Sequence, residues 1–375
     1  MSELYPADRL ARAGAALRAA GIDALLVTPG SDLRYLTGYN AKQLERLTCL
    51  VIPRDGDPVL LVPLLERPAA LASPAADLGI EIIGWAETDD PFGQVAQRLA
   101  AAPGGRPDRV AVANRMWAEH ALKLRDALPG SAVELADPVL RQLRMRKEPA
   151  EVAALRRAGQ AIDRVHRRMA DWLRPGRTEA EVGADIAEAI LASGHVSVDF
   201  VIVGSGPNAA SPHHEVSDRT INRGDMVVVD IGGTTPDGYC SDCTRTYVAG
   251  GQPDPEAVEY YAVLQRAQDA ACDAVKPGVT PEAVDAAARE IITQGGYGEF
   301  FIHRTGHGIG LESHEDPYIV AGNIEPLEPG MAFSIEPGIY LPQRHGARIE
   351  DILVCTDDGG ERLNQVRRDL VVLPG

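Results

Sequence analysis

Long apolar runs, paired cysteines and positive charge are what this 375-residue sequence has little of. No stretch approaches the run of about 18 apolar residues that a membrane-spanning helix needs. The Ala-rich start between Ala11 and Ala24 is broken by Arg12, Arg18 and Asp23, and no basic segment precedes it. It therefore reads as an amphipathic helix of a cytoplasmic protein, not as a secretion signal. The five cysteines (Cys49, Cys240, Cys243, Cys272, Cys355) are odd in number and lack framework spacing, so reduced thiols are expected. Lys and Arg number 37 against 54 Asp and Glu, a net charge of −17. Such a surface repels phosphate backbones and anionic membranes, so neither nucleic acid nor membrane is an expected partner.

What is present is an ordinary globular composition, 45% hydrophobic and 24% charged, in a chain long enough for two or three domains. Apolar runs at Ala24–Val27, Cys49–Ile52, Val59–Val62, Ile80–Ile83 and Val110–Val112 alternate with helical patterns such as Ala7–Ala20 and Trp117–Ala127. That alternation predicts an α/β layer with a partly parallel sheet. A boundary near Asp137–Pro138 divides the chain into domains 1–137 and 138–375. Beyond it, Val152, Leu155, Ile162, Val165 and Met169 predict a long helix from about Pro149 to Leu173. The basic run Arg141–Lys147 reads as a solvated lead-in to that helix.

The second domain carries a faint internal repeat. Leu173-Arg174-Pro175-Gly176-Arg177-Thr178 is echoed 102 residues later by Val275-Lys276-Pro277-Gly278-Val279-Thr280. The segment Gly224-Asp225-Met226 to Asp230 is echoed by Gly330-Met331 to Glu336, at an offset of 106. Gly238 to Asp242 is echoed by Gly346 to Glu350, at an offset of 108. Each half thus supplies one acid at a strand end and a second on the next strand. Halves packed about a pseudo-twofold axis would bring Asp230, Asp242, Glu336 and Glu350 together.

Four carboxylates in one cleft repel each other and resist desolvation unless a cation joins them. Oxygen ligands suit Mn²⁺, Mg²⁺ or Co²⁺, and one imidazole adds affinity for later transition metals. The Gly-rich segment from His303 to Gly310 offers two histidines, with Glu312 and His314 just beyond. Five ligands exceed a single tetrahedral zinc but fit two metals about 3.5–4 Å apart, a pair that generates hydroxide at neutral pH. Hydrolysis of an amide or ester is the chemistry implied.

These segments resemble the pita-bread metallopeptidases, which include methionyl aminopeptidase, aminopeptidase P and prolidase. The resemblance rests on Val229 to Gly233, Ser241 to Arg245, His303 to His314, Glu336-Pro337-Gly338 and Arg348 to Asp351. Asp32 to Gly38 is similar to the first domain of creatinase and of the proline-specific branch. The resemblance implies an α/β (α+β) fold, with an N-terminal creatinase/prolidase-like mixed-sheet domain and a C-terminal pita-bread domain of curved antiparallel sheet. It implies two divalent ions, Mn²⁺ first with Co²⁺ or Zn²⁺ as alternatives. Asp230 would chelate one, Asp242 and Glu350 would bridge, and His307 with Glu336 would hold the other. Glu336 would also take the proton of the bridging water. His213, His303 and His314 would line the substrate pocket, with His213 and His314 acting on the scissile amide. Arg348, two residues before Glu350, would orient a carboxylate ligand or bind the substrate carboxyl group.

The loop between Asp230 and Asp242 is one residue longer than relatives commonly have, and Thr234 to Asp237 is where the extra residue fits. His214 is expected to face away, and no role is assigned to His195 or His345. The CxxC at Cys240–Cys243 reads as coincidence, since strand alternation puts its thiols on opposite faces. Gly204–Gly206 and Gly308–Gly310 lack phosphate-loop continuations, so close backbone packing accounts for them.

The expected function is a dimetal peptidase that uses a metal-bridging hydroxide to hydrolyse the Xaa-Pro bond of short peptides, in a homodimer. An Xaa-Pro dipeptidase is favoured, and an aminopeptidase P acting on longer peptides is the alternative. The segment Gly38–Leu47, with Arg46, is where a pocket-closing loop would be sought. A non-peptidase relative cleaving a small amide is a second class. Creatinase itself lacks the ligands, and a binding-only pseudo-enzyme would have lost some of them. Methionyl aminopeptidase has no need of so large an N-terminal domain.

Overall fold

In the computed structural model, which describes residues 2–375, the first apolar runs become a six-stranded sheet. Its strands are β1 (Ala24–Val27), β2 (Cys49–Pro53), β3 (Val59–Pro63), β4 (Glu81–Trp85), β5 (Arg109–Val112) and β6 (Ala132–Leu135), in the order β4-β3-β2-β1-β5-β6. Pairs β1–β5, β5–β6 and β3–β4 are parallel, while β1–β2 and β2–β3 are antiparallel. Strands β1 and β2 are buried along their whole length, as continuous apolar runs covered on both faces should be. The helices are α1 (Asp8–Ala20), α2 (Ser31–Thr37), α3 (Arg67–Leu71), α4 (Pro91–Ala101), α5 (Ala118–Ala127) and α6 (Asp137–Met145).

The Asp32–Gly38 segment forms α2, and Gly38, at φ +71°, ends it. Its work is structural: Asp32 pairs with Arg144 at 2.7 Å, and Tyr35 Oη donates to the Leu143 carbonyl. Arg46 is held locally by Glu87 at 2.7 Å and by Glu45.

The chain divides into two compact units, Met1–Arg144 and Met145–Gly375. The second contains α7 (Pro149–His166), α8 (Met169–Trp172), α9 (Glu179–Ala192), α10 (Pro255–Ala274) and α11 (Pro281–Gln294). Its first sheet is built from β7 (Ser197–Ser205), β8 (Met226–Thr234) and β9 (Cys240–Ala249). The remaining strands are β10 (Gly306–Gly308), β11 (Glu315–Ile319), β12 (Ala332–Ile335), β13 (Gly338–Leu341), β14 (His345–Arg348), β15 (Asp351–Thr356), β16 (Gly359–Arg362) and β17 (Val371–Leu373). Sheet orders are β17-β9-β8-β7, β11-β10-β12-β15-β16 and β13-β14. All pairings are antiparallel except β17 with β9.

The repeat seen in the sequence has a structural cause. Gly176 and Gly278 occupy the left-handed region, at φ +91° and +85°, where a side chain would be strained. Two residues on, Thr178 and Thr280 cap α9 and α11 by accepting from the N–H groups of Glu181 and Ala283. One apolar core packs α7–α9 on β7–β9, and another packs α10 and α11 on β12–β15.

Two expectations are corrected. The long helix stops at His166, whose ring turns inward to the Cys243 carbonyl and Tyr247 Oη, and helix resumes only at Met169. The basic run is not simply solvated either. Most of it lies in α6, and the Lys147 side chain is 1% exposed, with Nζ 2.6 Å from Glu315. All five cysteines are buried and unpaired in disulfides.

Candidate active site

Strands β8 and β9 set the first pair of acids. Register places Asp230 opposite Thr244 and Gly232 opposite Asp242, so Asp230, Asp242 and Thr244 project from one face. The second pair comes from β12 and β15. Ile335 lies opposite Asp351, and Glu336 and Glu350 stand one step beyond that pair. The Glu336 N–H donates to the Thr305 carbonyl, and the Glu350 N–H donates to the Thr244 carbonyl, which ties both halves together.

His307 sits between two glycines on β10. A Cβ at Gly306 would strike the Ser334 backbone, and one at Gly308 would strike that of Glu315 and Asp316. The close approach lets Ser334 Oγ accept from the His307 N–H and donate to Glu336 Oε1, each at 3.0 Å. His307 Nδ1 donates to the Gly308 carbonyl at 3.1 Å, which fixes the ring with Nε2 turned toward the acids. Nε2 lies 3.2 Å from Glu336 Oε1 and 3.7 Å from Asp242 Oδ2.

All five residues are therefore in one buried cluster. Ligand atoms of Asp242, His307 and Glu350 lie within 4.8 Å of one another. Asp230 Oδ1 and Glu350 Oε1 are buried without a hydrogen-bond partner among the described residues. Burial, then the neighbouring Glu350, Asp230 and Glu336, push Asp242 well above the carboxylate range. Burial with Glu336 and Asp230 does the same to Glu350. Glu336 behaves oppositely: burial would raise it, but the His307 hydrogen bond and charge hold it down to about 2. Orphaned acceptor oxygens among crowded carboxylates and one oriented imidazole fit divalent metal, which would remove the repulsion.

Around this cluster runs a chain of donors. Arg348, 2% exposed, donates from Nη2 to Asp230 Oδ2 at 2.6 Å and to the Pro212 carbonyl. Its Nε donates to Thr244 Oγ1, which in turn donates to Glu350 Oε2 at 2.8 Å. Its Nη1 donates to Tyr340 Oη at 2.7 Å, and Tyr340 donates onward to His303 Nε2 at 2.9 Å. His303 Nδ1 donates to the Arg304 carbonyl. Burial lowers the His303 pKa and pushes Tyr340 up to about 12, so both stay neutral in this chain. Of the two roles expected for Arg348, this geometry serves the orientation of a carboxylate. His303 has both ring nitrogens engaged by protein groups and reaches the cluster through Tyr340.

His314 is exposed on one side and stacks on His307 with the other, ring centroids 3.8 Å apart; desolvation against that ring, then the His307 charge, lower its pKa. His213 is exposed. His214 turns to Glu179 Oε2, at 2.7 Å, where Asn208 and Ser217 also donate, while Ser205 donates to Oε1. The sequence reading missed Thr244, Ser334 and Tyr340. Thr244 and Ser334 had a signal, a two-residue spacing along a strand from Asp242 and from Glu336.

Both parts of the chain are similar to known proteins. Residues 153–357 match the model described as metallopeptidase family M24, and residues 9–146 match the creatinase/prolidase N-terminal domain. The probable dipeptidase PepE of Mycobacterium tuberculosis is 56% identical over 373 residues, covering 100% of this chain and 98% of that protein. The Xaa-Pro dipeptidase of Lactobacillus delbrueckii subsp. lactis is 38% identical over 358 residues, covering 94% and 96%. The crystal structure of dipeptidase PepE from Mycobacterium ulcerans superposes with a TM-score of 0.93 at 56% identity, covering 100% of this chain and 99% of that one. No helix among the described residues is long and apolar enough to cross a membrane. A creatinase/prolidase-like unit joined to a pita-bread unit, matched over nearly its whole length by dipeptidases, makes this chain an enzyme of metallopeptidase family M24, in the pita-bread, proline-specific branch.

Proposed function

We propose that this enzyme is a two-metal Xaa-Pro dipeptidase. The observation that carries the reading is the meeting of Asp242, His307 and Glu350 from both halves of the repeat, with Glu336 against His307 and buried oxygens of Asp230 and Glu350 left unpaired. The similar proteins named dipeptidase and Xaa-Pro dipeptidase support the substrate class. Two divalent ions on these residues, Mn²⁺ in the first instance, would lower the pKa of water and polarise the scissile carbonyl.

The protein's own groups have distinct work. Arg348 and Thr244 fix one oxygen each of Asp230 and Glu350 and leave the other oxygen unpaired for a ligand. Glu336, a carboxylate against His307 at the cluster, can accept the proton of the attacking water. It returns that proton to the proline nitrogen, which leaves as a secondary amine. His314 is neutral at pH 7, and its ring N–H is a donor for the carbonyl oxygen as charge develops there. His213, exposed, is a second donor to the substrate. A tertiary Xaa-Pro amide lacks an N–H and exists as two slowly exchanging isomers, so it needs a dedicated pocket.

Proline release from an Xaa-Pro dipeptide and from an Xaa-Pro-Xaa tripeptide, by protein stripped of metal and reloaded with Mn²⁺, tests the proposal. Cleavage of the dipeptide alone is expected. Cleavage of the tripeptide replaces the reading with an aminopeptidase P, and inactivity on both with two metals bound points to a hydrolase of another small amide.

A further inference from the structure

A second cluster of metal-ligating side chains lies at the N-terminus of α10. There Asp254, Glu256 and His345 bring one ligand atom each within 4.8 Å of one another. His345 is 8% exposed, and its Nε2 is buried without a hydrogen bond among the described residues. A buried ring nitrogen without a hydrogen bond costs free energy and calls for a ligand.

We propose that Asp254, Glu256 and His345 form a peripheral site for a divalent cation, separate from the catalytic cluster. The distances suit a metal better than a hydrogen bond. Asp254 Oδ2 is 3.5 Å from His345 Nε2. That is long for N–H···O, but two ligands at about 2.1 Å from a tetrahedral ion stand about 3.4 Å apart. The imidazole is already braced in the way metal-binding histidines are. Its Nδ1 lies 3.1 Å from Tyr260 Oη, and the ring stacks on Tyr260 at 5.4 Å. Donation from Nδ1 to the phenol oxygen leaves the Nε2 lone pair facing the carboxylates.

Asp254 divides its two oxygens. Oδ1 caps α10 by accepting from the Glu256 N–H at 2.9 Å, and Oδ2 faces His345. Glu256 pairs with Arg344 on one side. That guanidinium and the positive end of α10 oppose a cation, whereas the two carboxylates attract it, so binding weaker than at the four-acid cluster follows. The side chains of Asp254 and Glu256 are 45% and 35% exposed, which leaves a solvent side for water to complete the coordination. One imidazole with two carboxylates suits Zn²⁺ or Co²⁺.

Zinc content after dialysis of the full-length chain against micromolar Zn²⁺ tests the site. Asp254→Ser keeps a capping oxygen but removes the ligand, and His345→Gln keeps a polar partner for Tyr260. Wild type is expected to hold one more equivalent of Zn²⁺ than each of the two variants. The same extra equivalent should persist in Asp242→Asn/Glu350→Gln, so the peripheral site is read independently of the catalytic one. Both single variants should cleave peptide like wild type. Zinc content equal to wild type in either Asp254→Ser or His345→Gln, with circular dichroism showing both folded, overturns the site.

Discussion

Arg348 Nη2 donates to Asp230 Oδ2 at 2.6 Å, joining a strand of one half of the repeat to an acid of the other. The guanidinium also reaches Thr244, Tyr340 and the Pro212 carbonyl. A lysine offers one ammonium where the fork serves four groups. Arg348→Lys is therefore expected to weaken metal binding about 10–100-fold, as loss of a ligand's supporting partner does. Titration of the metal-free enzyme with Mn²⁺, followed by activity, measures this. A wild-type titration curve would contradict the positioning role.

Tyr340 is the middle of the chain from Arg348 to His303. Tyr340→Phe keeps the ring but leaves a buried guanidinium N–H and a buried imidazole nitrogen without their partner. The cost should be about 1–3 kcal/mol, seen as a fall of a few degrees in Tm at saturating Mn²⁺. An unchanged Tm would mean that the chain contributes nothing.

Metal should act on Asp242 with a sign that depends on occupancy. In chelated protein the crowded acid gains little from its charge, so Asp242→Asn is expected to leave Tm unchanged or raise it. With Mn²⁺ added, wild type should gain several degrees and the variant much less. Differential scanning calorimetry with and without chelator reads both. Equal metal-induced shifts would remove Asp242 from the ligand set.

His166 supplies a pH effect remote from the cleft. Burial and the nearby Arg245 push its imidazole down to about 3, against about 6.5 in an unfolded chain. The unfolded state therefore binds the extra proton, and stability rises with pH. It is lost as pH falls from about 6.5 toward about 3. Between pH 7 and pH 5 wild type should lose about 2 kcal/mol more than His166→Gln in urea unfolding. Parallel losses in the two proteins would contradict a neutral buried imidazole.

Legibility followed the kind of signal. The runs at β1, β2, β3 and β5 were plain because those strands are buried on both faces, whereas β6 is only half-buried and escaped notice. The repeat could be read because left-handed glycines and threonine caps recur at fixed places. The acids and His307 stood out as charge within apolar strands. Ser334 and Tyr340 did not, because a hydroxyl on a strand is ordinary until its partner is known. The break after His166 was hidden because the apolar spacing continues through it to Met169. Lys147 looked solvated because its partner Glu315 is remote in sequence.

Preference for proline on the leaving side should depend on bound metal. Hydrolysis of an Xaa-Pro dipeptide and of its Xaa-Ala counterpart, by chelated and by Mn²⁺-loaded enzyme with Asp242→Ala beside it, tests this most directly. Rapid Xaa-Pro cleavage by the loaded wild type alone, with Xaa-Ala cut far more slowly, is the predicted result. Undiminished hydrolysis after chelation or in Asp242→Ala, or equal rates on the two dipeptides, would contradict it.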